Sequence, residues 1–264
     1  MSQSGRAIPE RILPAFSRLP RAVYSRAESA PAGSWVRPHA HDWVQLSYAV
    51  SGVLEVRTAG GNFVAPPHCA VWIPPGVVHE VTATAQAEMR GLYIARECTD
   101  GAPRHCRVLG VTPLVRELIC AACALPADYD AAGAAGRLVG VLLDQLAGLP
   151  EMALSLPLPR DARLATICQA LQAQPEQRRT LEDWAAGAGV SARTLARLFR
   201  AETGLSFRDW RLRLRLLLAL PALERGRSVT AVALDAGYES VSAFIAAFRR
   251  EFGATPRALF SPRG

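Results

Sequence analysis

Residues 180–204, TLEDWAAGAGVSARTLARLFRAETG, constrain the chain most, because two short helices joined by a tight turn are what their pattern allows. Leu181, Trp184 and Ala185 share one helical face, GAGV at 187–190 interrupts the helix, and Ser191 is placed to cap a second one. On that second helix Leu195, Leu198 and Phe199 recur at spacings of three and four and face inward. Arg193, Ala196, Arg197 and Arg200 follow the same spacing on the opposite side. An outer helix face with three arginines, held by a helix-turn-helix, suits the acceptor-rich floor of a DNA major groove.

A second unit of the same kind follows at 228–252. Val229, Val232 and Ala233 begin its first helix, Gly237 and Tyr238 make the turn, and Ser240 caps the next helix, whose inward residues are Phe244, Ala247, Phe248 and Phe252. Its outer face offers Ser242, Ile245 and Ala246, which suit base contacts without bidentate bonds, and Arg249 and Arg250, which suit the DNA backbone. Between the units, SFRDWRLRLRLLLAL at 206–220 reads as one amphipathic helix, expected to kink or stop at Pro221. Its Arg208, Arg211 and Arg215 are expected to face solvent or phosphates.

Charge divides the chain in the same way. All 30 basic residues are arginine; residues 1–159 hold 13 of them against 13 acids, and residues 160–264 hold 17 against 10 acids. The whole excess of +7 therefore sits with the helix-turn-helix units, as expected where only that part meets a polyanion. The sequence lacks an apolar run of about 20 residues and an apolar leader core, so the expectation is a cytoplasmic protein with no membrane contact.

The N-terminal half has a different period. Residues 1–30 show none and are read as a flexible arm, whereas 31–110 break into short segments rich in Val, Tyr, Trp and Leu, separated by Gly and Pro. VQLSYAV, GVLEVRT, NFVA, AVWIP, HEVTA and MRGLYIA are expected strands of an antiparallel sandwich or barrel. Strand parity puts His39, His41 and Gln45 on one face, where a neighbouring strand carrying His79 would bring three imidazoles together. Such a cluster holds one divalent transition metal ion, Zn, Ni, Co or Fe, or lines a metal-free ligand pocket, and the residues leave both open.

Two helices are expected next, at 113–125 and about 131–149, giving a helical region over 111–152. In the second, Leu138, Val141, Leu142, Gln145, Leu146 and Leu149 form a stripe that packs on the barrel or pairs with its copy in a homodimer. Cys120 and Cys123 fall in the first and are read as reduced, buried helix residues. SLPLP at 155–159 cannot be helical and sets the linker at 153–160, leaving 161–264 as the DNA-binding domain.

The order of parts at 160–260, closing on AGYESVSAFIAAFRREFGATP, resembles the AraC/XylS family of bacterial transcription regulators. The spacing of His39, His41 and His79 is similar to the cupin metal motifs, with Gln45 where a glutamate would stand, and PHAHDWVQLSYAVSGVLEV with APPHCAVWIPPGVVHEV resembles the subgroup that includes the nitroimidazole-resistance regulator. The resemblance implies an α+β two-domain chain: a cupin-like β-barrel with helices, then an all-α domain that binds promoter DNA through Arg193, Ala196 and Arg197 and through Val241, Ser242, Ile245 and Ala246. It implies a small-molecule or metal effector, contact with RNA polymerase if the protein activates, and control of a neighbouring efflux transporter gene. The alternative reading is a cupin-type isomerase or oxygenase with an accessory DNA-binding domain.

Overall fold

The computed structural model describes residues 10–11, 17–84 and 86–260. The described chain up to Met152 forms one compact unit; from Ala153 onward it forms a second, to which the turn Ala59–Asn62 also belongs.

The first unit is built on strands β1 (Val23–Ala30), β2 (Trp35–His39), β3 (Val44–Ser51), β4 (Leu54–Thr58), β5 (Gly61–Ala65), β6 (Cys69–Ile73), β7 (His79–Ala83), β8 (Ala87–Ile94) and β9 (Arg107–Gly110). Helices α1 (Pro113–Cys123) and α2 (Ala134–Ala147) and the short β10 (Glu151–Met152) complete it. One sheet runs β1-β8-β3-β6-β9-β10, and β5-β4-β7-β2 lie side by side in the other. The two sheets face each other as a sandwich, one of the two arrangements expected, and the cupin-like barrel is not closed, the register-assigned pairs being antiparallel ladders inside one sheet or the other.

Val23–Ala30 was expected inside a loose arm but pairs along its whole length with Ala87–Ile94 as an antiparallel strand. Its alternation is broken by Arg26 and Glu28, which pair with each other at 3.1 Å, so no apolar period marks it. The remainder of the expected arm falls mostly outside the described residues.

Burial along β3 explains the layering. Val44, Leu46 and Tyr48 pack with Val115 and Ile119 of α1 and Val139, Leu142 and Leu146 of α2. The alternate residues Gln45 and Ser47, also buried, point to the opposite face by the period of two. Both faces of the strand are covered, so the polar members of its alternation, Gln45 and Ser47, are interior and mark a site. The α2 stripe divides: Leu142, Leu146 and Leu149 enter this core while Val141 stays 47% exposed. All six cysteines are free, and burial pushes the Cys123 thiol in α1 up to about 11.

The second unit begins with β11 (Ser155–Pro157) and α3 (Ala162–Ala173), followed by α4 (Leu181–Gly187), α5 (Ala192–Thr203), α6 (Phe207–Glu224), α7 (Val229–Asp235), α8 (Val241–Phe252) and α9 (Pro256–Phe260). Thr180 and Asp183 close a capping box on α4. Ser191 and Ser240 cap α5 and α8 by accepting from Thr194 N and Ala243 N at 3.2 and 3.1 Å. Gly204 and Gly253 end those helices at φ 72° and 73°, a left-handed conformation that costs a glycine little.

Of the kink or stop expected at Pro221, the stop is not found, and the solvent-facing expectation for two α6 arginines is overturned. The helix runs through Pro221 to Glu224. That proline lies in the last turn, where it removes one N–H donor and has little helix beyond it to break. Arg211 and Arg215 do not reach for solvent: Arg211 donates to Arg179 O at 2.9 Å and to Gln177 O, and Arg215 Nε donates to Pro175 O at 2.9 Å. They tie α6 to the segment between α3 and α4, whose carbonyls have no helical partner.

Candidate functional site

The outer face of α5 is the first candidate surface. Leu195 and Phe199 are fully buried, Phe199 meeting Phe207 and Trp210 edge-on at 5.6 and 5.8 Å. That packing fixes the roll of the helix, so Arg193, Arg197 and Arg200 project outward and are exposed, beside the half-buried Ala196. No hydrogen bond or ion pair holds these three guanidinium groups among the described residues. In α8, Phe244, Phe248 and Phe252 are buried, and Ser242, Ala246, Arg249 and Arg250 are exposed, with Val241 and Ile245 half-buried. Both faces can meet DNA; α5 carries charge at its centre and α8 at its C-terminal end.

The second candidate lies inside the sandwich. His39 ends β2 and His79 opens β7, and the ladder sets them directly opposite each other, with ring centroids 4.2 Å apart. His41 lies beyond β2 in the connection to β3, so its convergence comes from the loop and not from strand parity. Gln45 enters from β3 in the facing sheet. One nitrogen from each histidine lies within 4.8 Å of the others.

Hydrogen bonding fixes the tautomers. His39 Nδ1 lies 2.9 Å from Arg37 O, His41 Nδ1 2.9 Å from Trp43 O, and His79 Nδ1 2.8 Å from Val77 O. A carbonyl oxygen only accepts, so each Nδ1 carries the proton. Burial holds the His79 pKa down to about 4 and lowers that of His39, so both are neutral at pH 7 and present Nε2 as a lone pair. His39 Nε2 is buried with no hydrogen-bond partner.

Gln45 Oε1 sits 3.0 Å from His41 Nε2 and 3.3 Å from His79 Nε2, while Gln45 Nε2 is 2.9 Å from Ser47 Oγ. As placed, the amide oxygen faces two imidazole Nε2 atoms, an arrangement that suits a cation shared among them. Turning the amide over lets its NH2 donate to both imidazoles and its oxygen accept from Ser47, which satisfies those groups without a cation. His39 Nε2 is unsatisfied in either arrangement.

The adjoining interior cavity measures about 20 Å³, and its lining includes Arg11, Arg26, Glu28, Tyr93 and the cluster's own His39 and Gln45, with Ser47. That is room for one water or one ion. Arg11 and Tyr93 escaped the sequence reading: the Arg11 side chain is 7% exposed and donates to Val81 O, and burial pushes the Tyr93 hydroxyl up to about 12. The parity of β3 was the available signal for Ser47; none was available for Arg11.

Comparison with known proteins follows this division. Residues 184–261 match a helix-turn-helix domain, and residues 23–104 match the AraC-like ligand binding domain. The chain is 37% identical over 218 residues to the HTH-type transcriptional regulator NimR of Escherichia coli, covering 83% of this chain and 80% of that protein. It is 43% identical over 101 residues to the HTH-type transcriptional regulator RipA of Corynebacterium glutamicum, over 38% of this chain and 30% of that one. Among solved structures, the DNA-binding domain of AdpA in complex with a target DNA is 32% identical, covering 38% of this chain and 96% of that one, with a TM-score of 0.34. No helix among the described residues is long and apolar enough to cross a membrane. The chain belongs to the AraC family of DNA-binding transcription regulators and carries an AraC-type ligand-binding domain before its two helix-turn-helix units.

Proposed function

We propose that this regulator is controlled by one divalent transition metal ion, Zn, Ni, Co or Fe, bound through Nε2 of His39, His41 and His79 with Gln45 Oε1 beside them. The observation that carries the reading is the fixed tautomer set: three backbone carbonyls take the Nδ1 protons, and one nitrogen from each of the three imidazoles lies within 4.8 Å of the others. Carbonyl-anchored imidazoles are the arrangement that metal-binding histidines adopt. A bound ion supplies positive charge to a site that rejects protons, and it draws the two sheets together through side chains from β2, β7 and β3. The nitrogen donors and the neutral amide suit borderline transition metals better than Mg or Ca.

Occupancy then changes promoter affinity by favouring one of two pre-existing states of the protein. Arg193, Ala196, Arg197 and Arg200 of α5 read base edges, Val241, Ser242, Ile245 and Ala246 of α8 add apolar and small contacts, and Arg249 and Arg250 hold phosphates. Pairing of two chains, with Val141 of α2 and Leu114 of α1 left 47% and 54% exposed, would present these faces to two half-sites. The target is a neighbouring efflux transporter gene, as the resemblance of residues 38–56 and 65–81 to the nitroimidazole-resistance subgroup implies, and an activating role would bring contact with RNA polymerase. The relatives are transcriptional regulators, which speaks against the metalloenzyme reading.

Elemental analysis of protein purified without an affinity tag is the test, run beside His41→Ala. One equivalent of metal in the parent and almost none in the variant is expected, with promoter footprints that differ between them. Equal metal content in the two overturns the metal reading, and equal affinity of the parent for promoter and random DNA overturns the regulator reading.

A further inference from the structure

The first unit also has a larger cavity on its rim, and we propose that it seats an organic co-effector: a small zwitterion of the α-amino-acid type with an apolar side group. This rests on the reading of the first unit as the sensory domain. The cavity measures about 320 Å³, within the range of small-molecule pockets, whereas the 20 Å³ interior beside the histidines accepts only an ion or a water.

Its lining points to the ligand chemistry. Val44 and Trp72, 1% and 5% exposed, give it an apolar base. Asp42 comes from the β2–β3 connection, and Arg96, Asp100 and Arg104 from the segment between β8 and β9. The side chains of these four make no ion pair or hydrogen bond among the described residues. Elsewhere in the unit arginines meet carboxylates, as in Arg26–Glu28, Arg57–Glu55 and Arg37–Glu10. Two guanidinium groups and two carboxylates around one apolar hollow therefore stay available and sum to zero charge. A simple anion would face Asp42 and Asp100, and a simple cation would face Arg96 and Arg104. A zwitterion answers both signs, its carboxylate toward a guanidinium and its ammonium toward a carboxylate, with the side group on the indole.

The cavity is also wired to the histidines. Gly76 lines it, and Gly76 N donates to His41 O at 2.9 Å, while Asp42 directly follows His41. A ligand that orders this rim restrains the loop that carries one of the three imidazoles.

Calorimetric titration of the full-length protein tests this with L-phenylalanine and its two singly charged counterparts, 3-phenylpropionate and phenethylamine. L-Phenylalanine should bind, and each counterpart should bind at least about tenfold more weakly. Arg104→Ala and Asp100→Asn, both exposed and unpaired, should keep the parent's melting temperature and each weaken L-phenylalanine about five- to tenfold. No measurable binding of L-phenylalanine, equal binding of 3-phenylpropionate, or unchanged affinity in both variants overturns the proposal. Arg193→Ala separates the two readings, since it should lose promoter affinity and keep ligand affinity. If L-phenylalanine fails while promoter binding and metal content hold, only the rim proposal falls; if promoter discrimination fails while L-phenylalanine still binds, the regulator reading falls instead.

Discussion

The recognition helices α5 and α8 share their construction and differ in what they offer. Each has 12 residues, a serine cap accepting from the third residue on, a left-handed glycine at its end and aromatic residues buried beneath. Outside, α5 shows Arg193, Arg197 and Arg200, while α8 shows Ser242, Ile245 and Ala246 before its two arginines. The shared features position a helix; the unshared ones decide what it reads. On the proposed reading, fold and specificity occupy opposite faces of the same 12 residues, and the two should be separable by substitution.

The largest expected effect tests the shared side. Phe199→Ala and Phe248→Ala remove fully buried rings from equivalent places, and each should cost about 3–5 kcal/mol of stability in denaturant titrations. A cost confined to one of them would break the equivalence of the two helices.

Next comes the pH range over which the comparison can be made. His79 titrates near 4 in the folded, metal-free protein and near its ordinary 6.5 when unfolded, so the unfolded chain binds more protons between those values. Stability of the first unit should fall as pH drops from about 6.5 to about 4, by up to about 3 kcal/mol, and be intact above 6.5. Melting curves across this range should show the loss, and His79→Asn should flatten it. A parallel pH dependence of promoter binding over the same range would count against the separation.

On the unshared side, Arg193→Ala and Arg197→Ala should each weaken promoter binding by about 1–3 kcal/mol and relax preference at one base position, measured by binding to single-substitution operators. Arg249→Ala in α8 should act differently, weakening promoter and random DNA alike and lowering the salt slope by about 1. Smallest of all, Ile245→Ala should cost about 1 kcal/mol or less, the scale of an apolar contact with a thymine methyl group. A loss at Ile245 as large as at Arg197 would make the two helices equal readers.

Legibility in the sequence followed burial. The helix-turn-helix units could be read because an amphipathic helix writes its inner and outer faces at a period of 3.6, with Ser191, Ser240, Gly204 and Gly253 as punctuation. Strand β1 could not, because Arg26 and Glu28 satisfy each other across the strand surface and leave no apolar alternation. Strand β3 showed in its Val44-Gln45-Leu46-Ser47-Tyr48 alternation which residues share a face, but not that the polar face is interior as well. The meeting of His39 and His79 was an expectation from spacing; the direct cross-strand pair, the loop position of His41 and the Gln45–Ser47 contact depend on register and sheet facing. Arg211 and Arg215 look like surface charge in sequence, and only the path of residues 175–179 makes them supports.

By itself the sequence determined the local elements, the basic C-terminal half and the residue types that reach outward from α5, since caps, period and charge act over a few neighbours. Tertiary structure alone decided that the sheets form an open sandwich, that the arm's end is a strand, and that one interior holds an ion-sized space while the rim holds a ligand-sized one. Those outcomes depend on residues dozens of positions apart packing to a common distance, and no local rule of spacing contains that distance.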